Sequence, residues 1–438
     1  MSMRFCYMES IGKNDLILPE SMQSHFIELT EPMKFAFGKF KKEVKISFSA
    51  DIGSGSIGIH KQFAEGFPIP VEVDFKWRIE QGTFFVGPVI AFIFNSQAQK
   101  ISPKRLRKMK KYTAPYKEVG GLFIISSADS IDFENKTIGG YCFKPGGLGK
   151  KDTWESGIFP FPEVLFRRGK SQALDQLSEA MEGKAFNYPL LNKWQLYEKL
   201  SDSPEVIHYF PETAQLVEID RVFDMLDHFK AVYIKPAGGM KAAGIYTVTL
   251  AGDKYAVKDT KNHTKHLDYD NFTAFMDSLN ESPHIAQQPI LNNDLNRNIV
   301  FRVILQKNEE KTWQCTGSYA RVGVDGSIAT NRILTDCFLS TPQALRKIYK
   351  LSKKAAKEKR EEIIDMCKKV CRVLEDKNIH YGDVAFDVML DSNLRIWLIE
   401  LNNRSHNHSS PLTTIKNHQM YRRVVAAPLG YASALAGY

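Results

Sequence analysis

Cysteine is scarce in this 438-residue chain: there are six, Cys6, Cys142, Cys315, Cys337, Cys367 and Cys371. No two form a C-x-x-C pair, and their spacing is not that of a disulfide framework. This excludes a stapled secreted scaffold and indicates reduced thiols in a cytosolic setting. Long apolar runs are also missing. The most apolar stretch, residues 84–94, is short and interrupted by Gly87-Pro88, so it cannot span a bilayer. The N-terminal M-S-M-R-F-C-Y-M-E-S lacks the apolar core of a signal peptide. No low-complexity tract is present, and 43% hydrophobic with 25% charged residues is the balance of a soluble globular protein rather than a disordered one. Two nucleotide signatures fail on context. Gly53-Ser-Gly55-Ser-Ile-Gly58 matches G-x-G-x-x-G, but Pro68 and Pro70 follow where the fingerprint requires a helix. Gly146-Gly147-Leu-Gly149-Lys150-Lys151 has the wrong spacing for a P-loop, with no Ser or Thr after the lysine.

What is present begins with size and charge. The length calls for two to four domains or lobes. A net charge of +9 and a pI near 9.0 favour anionic partners without choosing among nucleotide, nucleic acid and acidic surfaces. The most informative stretch is residues 384–402. It reads V-A-F-D-V-M-L, then D-S-N, then L-R-I-W-L-I-E-L-N, two apolar runs around a turn. A turn centred on Ser392 and Asn393 sets Asp387 opposite Leu398 and diagonal to Glu400. Alternation along the strands then gives Asp387, Glu400 and Asn402 one shared face. Two carboxylates inside apolar sequence repel each other unless a cation compensates, and this set of hard oxygens suits Mg²⁺, with Mn²⁺ also fitting. Taken alone, the same residues could simply end a solvated strand.

In chain order, residues 1–80 are β-rich. Residues 81–183 form a small α/β unit with a strand at 84–94, a basic helix over 102–116 opened by Ser102 and Pro103, and a strand at 122–126. The F-P-F-P-E-V-L-F-R-R segment ends in Arg167-Arg168, which could carry an arginine to a cleft. In residues 184–290, Asn192-Lys193 opens a helix to Leu200, and a strand ends at Lys235-Pro236. That strand runs into Ala237-Gly238-Gly239, whose backbone can approach a polyphosphate closely, with Lys235 as a point charge beneath it. Gln287-Gln288-Pro-Ile290 leads toward Asp294, a segment able to meet an adenine edge and a ribose. Residues 291–438 form the last lobe. Strands over 299–306 and 313–322 carry Arg302 and Arg321, which need an anion or a carboxylate such as Asp387 or Glu400. Asn331 follows, and residues 342–377 show the periodicity of one long helix. Cys367 and Cys371 fall on its apolar stripe and read as core. After the hairpin come Arg404, His406 and His408. The histidines have no third ligand nearby in sequence and count only as substrate-side candidates.

The order Lys193, Lys235 with its glycines, Gln287 to Ile290, Arg302, Arg321, Asn331, Asp387, Glu400-x-Asn402 resembles the ATP-grasp superfamily, within it the YheC/YheD endospore coat-associated group. The resemblance implies an α+β ATP-grasp fold of two lobes clasping ATP, preceded by an α/β domain and the β-rich region. It implies that Lys193 and Lys235 contact the phosphates and the purine side, that Gln287, Gln288 and Ile290 form the adenine hinge, and that Asp387, Glu400 and Asn402 hold one or two Mg²⁺ ions. Arg302 and Arg321 would bind the γ-phosphate and an acyl phosphate. The implied activity is ATP-dependent carboxylate–amine ligation, the alternatives being an ATP-binding coat-associated protein without turnover and a phosphotransferase. The implied partners are a small or peptidic carboxylate and an amine, with no nucleic acid and no membrane; nothing fixes the oligomeric state. Val300, Arg332 and Asn403-Arg404 depart from the group's pattern, which makes Arg332 and Arg404, with Arg168 and His406, candidates for reading an acidic substrate.

Overall fold

The computed structural model describes the chain except residues 1, 27–32, 65, 96, 147–150, 240–242, 280, 291–296, 331–333 and 405, and the side chain of Asn95. The chain divides into two compact units. One holds residues 1–189, 307–312 and 425–438, and the other residues 190–306 and 313–424.

Phenylalanine builds the start of the first unit. Phe5, Phe35, Phe37, Phe75 and Phe84 come from short strands whose alternation turns them inward, and all are at most 2% exposed. Their rings meet mostly edge to face, as the aromatic quadrupole favours. The strands close a seven-stranded barrel in the order Ser2–Tyr7, Ser56–Ile59, Asp15–Pro19, Phe40–Ser49, Met33–Phe37, Thr83–Gly87, Phe75–Glu80, and closure removes the exposed edges of an open sheet. After Gly53 and Gly55 comes the strand Ser56–Ile59, not a helix. The stretch expected as one strand over 84–94 is two. Thr83–Gly87 belongs to the barrel, and Val89–Asn95 is central in a second sheet. Pro88 has no N–H for a ladder, so one continuous strand is not available.

The second sheet runs Thr153–Pro160, Thr137–Lys144, Leu122–Asp132, Val89–Asn95, Val164–Arg167, Ala185–Phe186. Its middle pairs are parallel, which matches their unbroken apolar character. The basic segment begins as expected, with Ser102 Oγ accepting from Arg105 N at 3.3 Å ahead of the helix Pro103–Met109. It does not continue as one helix to 116: a 3₁₀ turn at Lys110–Thr113 and a short helix at Tyr116–Val119 follow, on either side of Pro115. A larger departure from the expected 291–438 lobe lies at the end of the chain. Leu429, Tyr431, Ala432 and Ala436, from the last turns of the helix His418–Ala436, are buried with Phe92, Phe166 and Phe186 in the core of the first unit. Arg78 Nη2 donates to the carbonyl of Ala436 at 3.2 Å.

The second unit has two sheets. The six-stranded one runs Thr213–Gln215, His284–Gln287, Ala231–Pro236, Tyr246–Ala251, Lys254–Asp259, Thr264–Leu267, antiparallel throughout, with the helices Ile219–Phe229 and Tyr269–Ser278 on its core. The five-stranded one runs Thr335–Ser340, Trp313–Gly323, Ile299–Lys307, Asp383–Leu390, Ile396–Asn402. Phe301, Val303, Leu305, Val384, Phe386 and Val388 pack with Ile363, Cys367, Val370, Cys371 and Leu374 of the helix Lys353–Asp376. The expected single helix over 342–377 is two, Thr341–Lys347 and Lys353–Asp376, each restarted by its own N-cap serine, Ser340 and Ser352.

Candidate functional site

Alternation that sends Phe301, Val303 and Leu305 to the helix sends Arg302, Ile304 and Gln306 to the opposite face. The neighbouring strand meets them rung by rung: Arg302 opposite Asp387, Ile304 opposite Ala385, Gln306 opposite Asp383. On the first rung Arg302 Nε donates to Asp387 Oδ1 at 2.5 Å and Nη2 to Oδ2 at 2.9 Å. Arg321 Nη2, from the next strand over, reaches the same Oδ2 at 2.7 Å. Burial alone would raise the Asp387 pKa, but the two guanidiniums outweigh it and hold the carboxyl well below its ordinary value. For Arg302, likewise, burial opposes the charge while Asp387 raises the pKa further.

The expected hairpin is present, in another register. Asp387 sits directly opposite Glu400 rather than Leu398, because a β-bulge falls between Asp387 and Val388 and leaves Ile399 extra. The turn is wider than Ser392-Asn393, since Asp391 Oδ1 accepts from the backbone N–H groups of both Asn393 and Arg395 at 2.9 Å. The shared face survives, because Glu400 and Asn402 are two residues apart and Asp387 faces Glu400. Asn402 Nδ2 is buried with no hydrogen-bond partner among the described residues, and so is Arg321 Nε.

Lys235 comes from the six-stranded sheet and Lys193 from the helix Lys193–Leu200. Lys193 is the first residue of its helix, held by a capping box between Asn192 and Gln195. Its Nζ lies 3.1 Å from the carbonyl of Gly239 and 3.3 Å from Glu400 Oε1. Lys235, at the end of Ala231–Pro236, is 7% exposed and donates to Gln287 Oε1. Burial, with the like charge of Lys193, lowers its pKa to about 8, against a raising influence from Glu400. Lys193, Gln287 and Glu400 line one recess.

Several expected roles change. Gln287 is occupied by Lys235 and by Thr213, to which its Nε2 donates at 2.9 Å, so its amide fixes the lysine rather than standing ready for an adenine. Gln288 pairs with the backbone of Glu212, donating from N at 2.9 Å and accepting on Oε1 at 3.1 Å. Ile290 is half-buried beyond that strand. Gly238 and Gly239 have no left-handed backbone; Gly244 does, at φ 72°. Gly239 is required instead by close approach, since a Cβ there would meet Pro236 at 2.9 Å. Arg168 belongs to the first unit, its guanidinium 5.8 Å from the rings of Phe94 and Phe166, and Arg167 is buried against Asp175 at 2.6 Å. Arg404 is half-buried just after Asn402. Asn331, Arg332 and Asp294 lie outside the described residues.

His406 is not a substrate-side residue. It is 4% exposed, and its third partner is supplied by the strand: Nε2 lies 3.1 Å from Asp383 Oδ1. His408 Nε2 lies 3.1 Å from Oδ1 and 2.8 Å from Oδ2 of the same carboxylate. Sequence reasoning missed Asp383. Its signal was its place four residues before Asp387, hence on the same strand face.

The strands, lysines and carboxylates together are those of an ATP-grasp protein. A family model described as YheC/D like ATP-grasp matches residues 182–435, and the chain belongs to that family. It is similar to the endospore coat-associated protein YheD of Bacillus subtilis (strain 168), 24% identical over 426 residues, which covers 91% of this chain and 88% of YheD. The endospore coat-associated protein YheC of the same organism is 20% identical over 269 residues, 58% of this chain and 73% of YheC. Among solved structures, the ATP-grasp ligase PsnB complexed with minimal precursor aligns with TM-score 0.43 and 12% identity, over 76% of this chain and 96% of that one. The PsnB complex that also holds Mg and ADP aligns with TM-score 0.42 and 11% identity, over 80% and 98%. Likenesses this faint say nothing of what this chain binds. Among the described residues no helix is long and apolar enough to cross a membrane.

Proposed function

We propose that the chain is an ATP-dependent carboxylate–amine ligase. One observation supports this above the others: Lys193 Nζ stands 3.3 Å from Glu400 and 3.1 Å from the carbonyl of Gly239, which joins the glycine turn after Lys235 to the carboxylates of the five-stranded sheet. Lys193 and Lys235 would hold the phosphates of ATP. Asp387, Glu400 and Asn402 would hold one or two Mg²⁺ ions, and Mn²⁺ fits the same oxygens. The residues fit such an ion. The orphaned amide nitrogen of Asn402, turned about its bond, becomes an oxygen beside Glu400. Such an ion would supply neutralisation of the phosphate charge.

The chemistry asks mainly for alignment. A carboxylate oxygen of the substrate attacks the γ-phosphorus, the bond to the bridging oxygen breaks, and ADP leaves. Arg302 and Arg321, aimed by Asp387, donate N–H groups to the transferred phosphoryl, and the orphaned Nε of Arg321 is free for this. An amine then attacks the acyl carbon, phosphate leaves with the C–O electrons, and the amine proton passes to solvent. The site of action would be the cytoplasm, or the endospore coat by analogy with the coat-associated YheD.

One feature favours a second reading. Asp387 already has two guanidinium partners, so a cation must compete for it, and a protein that binds ATP without turnover would look the same. The separating experiment is ADP release from purified protein and Mg-ATP against pools of amino acids and short peptides. Release that needs both a carboxylate and an amine, and is lost in Glu400→Ala, is the expected result. Tight ATP binding without release from any pool supports the binding protein. A phosphorylated product formed without an amine supports a phosphotransferase.

A further inference from the structure

The third rung of the strand pair carries a second cluster. Asp383 is fully buried, and His406 and His408 converge on it with the same ring nitrogen, Nε2, at 2.8 to 3.1 Å. The ring centroids are 4.5 Å apart at 68°. One ligand atom from each of the three side chains lies within 4.8 Å of the others.

We propose that Asp383, His406 and His408 bind one divalent transition-metal ion of the zinc class. The site is distinct from the carboxylates assigned to the phosphates. Asp383 is four residues from Asp387, about 13 Å along an extended strand. Two imidazoles and a carboxylate are a borderline-soft set that suits zinc, cobalt or nickel and disfavours Mg²⁺. An ion with zinc–nitrogen distances of about 2.0–2.1 Å and tetrahedral angles separates its ligand atoms by about 3.3–3.4 Å. The observed 2.8 and 3.1 Å need to open only by a few tenths of an ångström.

Charge gives the same answer. If protons alone bridge the cluster, each neutral ring donates its Nε2–H to the carboxylate, and the buried negative charge is left with no cation. A divalent ion takes the Nε2 lone pairs, moves each ring proton to Nδ1, leaves both imidazoles neutral and compensates the buried carboxylate. The surroundings are those of a supported ligand. Gln306 Nε2 donates to Asp383 Oδ1 at 2.8 Å and to the carbonyl of Val424 at 2.9 Å, while Thr316 Oγ1 donates to Gln306 Oε1. Both amide hydrogens are used, so Gln306 orients the carboxylate and is not itself a ligand. The ion would pin the loop that follows Glu400-x-Asn402 to the strand that carries Asp387, and its role is structural.

The test uses the full chain without an oligohistidine tag and without nucleotide. Mass spectrometry of metal content should find about one zinc per chain after purification with zinc present. His406→Ala and His408→Ala should each retain less than about a tenth of that. Wild-type protein stripped with a chelator should give the ligand-field absorption of tetrahedral Co²⁺ on titration, with that band unmoved by excess Mg²⁺. Its melting temperature should rise when zinc is restored. The wild-type measurements decide the matter even if the variants do not fold. Wild-type protein with no bound metal and no Co²⁺ band overturns the proposal, as does zinc retained in both variants or displacement by Mg²⁺.

Discussion

Lys235 is a lysine placed where its charge is expensive. Burial and Lys193 bring its pKa down to about 8, so the free protein loses this cation as pH rises through that value. A bound polyphosphate favours the charged form, which means that ATP binding near and above pH 8 takes up a proton. Affinity for Mg-ATP should therefore hold between pH 6 and 7.5 and weaken by up to about tenfold per pH unit above the free pKa. Calorimetry in buffers of different ionisation enthalpy should register the proton uptake, and Lys235→Met should bind more weakly and lose most of this pH dependence. A wild-type affinity flat to pH 9.5 would show that Lys235 does not meet the phosphates. Residues of this kind were partly legible. A lysine ending a β-branched strand before glycines is visible in sequence. Its tie to Gln287 and Thr213 is not, because the three come from strands 52 and 74 residues apart. The same distance problem hid Asp383 from His406 and His408, for alternation marks a face but not what returns to it.

At the scale of elements, the hairpin is a rigid holder for charge. Asp387 is buried and held bidentately by the half-buried Arg302, and Arg321 completes the set. Breaking such a pair from one side leaves a buried charge, which costs about 3–5 kcal/mol. Arg302→Ala and Asp387→Ala should each destabilise the second unit by an amount of that order in urea denaturation. The double variant should cost less than their sum by at least about 1 kcal/mol. Additive losses would mean that the pair does not act as a unit. The hairpin was legible because its apolar residues alternate. Its register was not, because a bulge adds Ile399 without disturbing the apolar pattern. The two broken helices failed for a related reason: apolar spacing continues smoothly across Ile348–Ser352, and only the N-cap serines Ser340 and Ser352 signal the restart.

For the molecule as a whole, composition and turn residues led to the expectation of a β-rich start, an α/β unit and two further lobes, whereas the chain divides into two compact units. The destination of residues 425–438 did not follow, since a run of alanine, leucine and tyrosine on a helix states that it is buried but not against what. Ending the chain after Val424 should open the core around Phe92, Phe166 and Phe186. Each large side chain lost, Leu429 and Tyr431 foremost, removes about 1.5–3 kcal/mol of burial. The first unit should then melt earlier and be cut faster by protease, while the fragments from the second unit keep their lifetime. Equal protease resistance of both chains would contradict the packing.

The bond from Arg78 to the carbonyl of Ala436 joins residues 358 apart in sequence. On the ribosome, the strands of the first unit emerge long before their last covering helix exists. Its closing contacts form only after residues 425–438 have been made, and loops of that length close slowly. A chain that stops before residue 425 therefore carries an uncovered apolar core, which quality control can recognise.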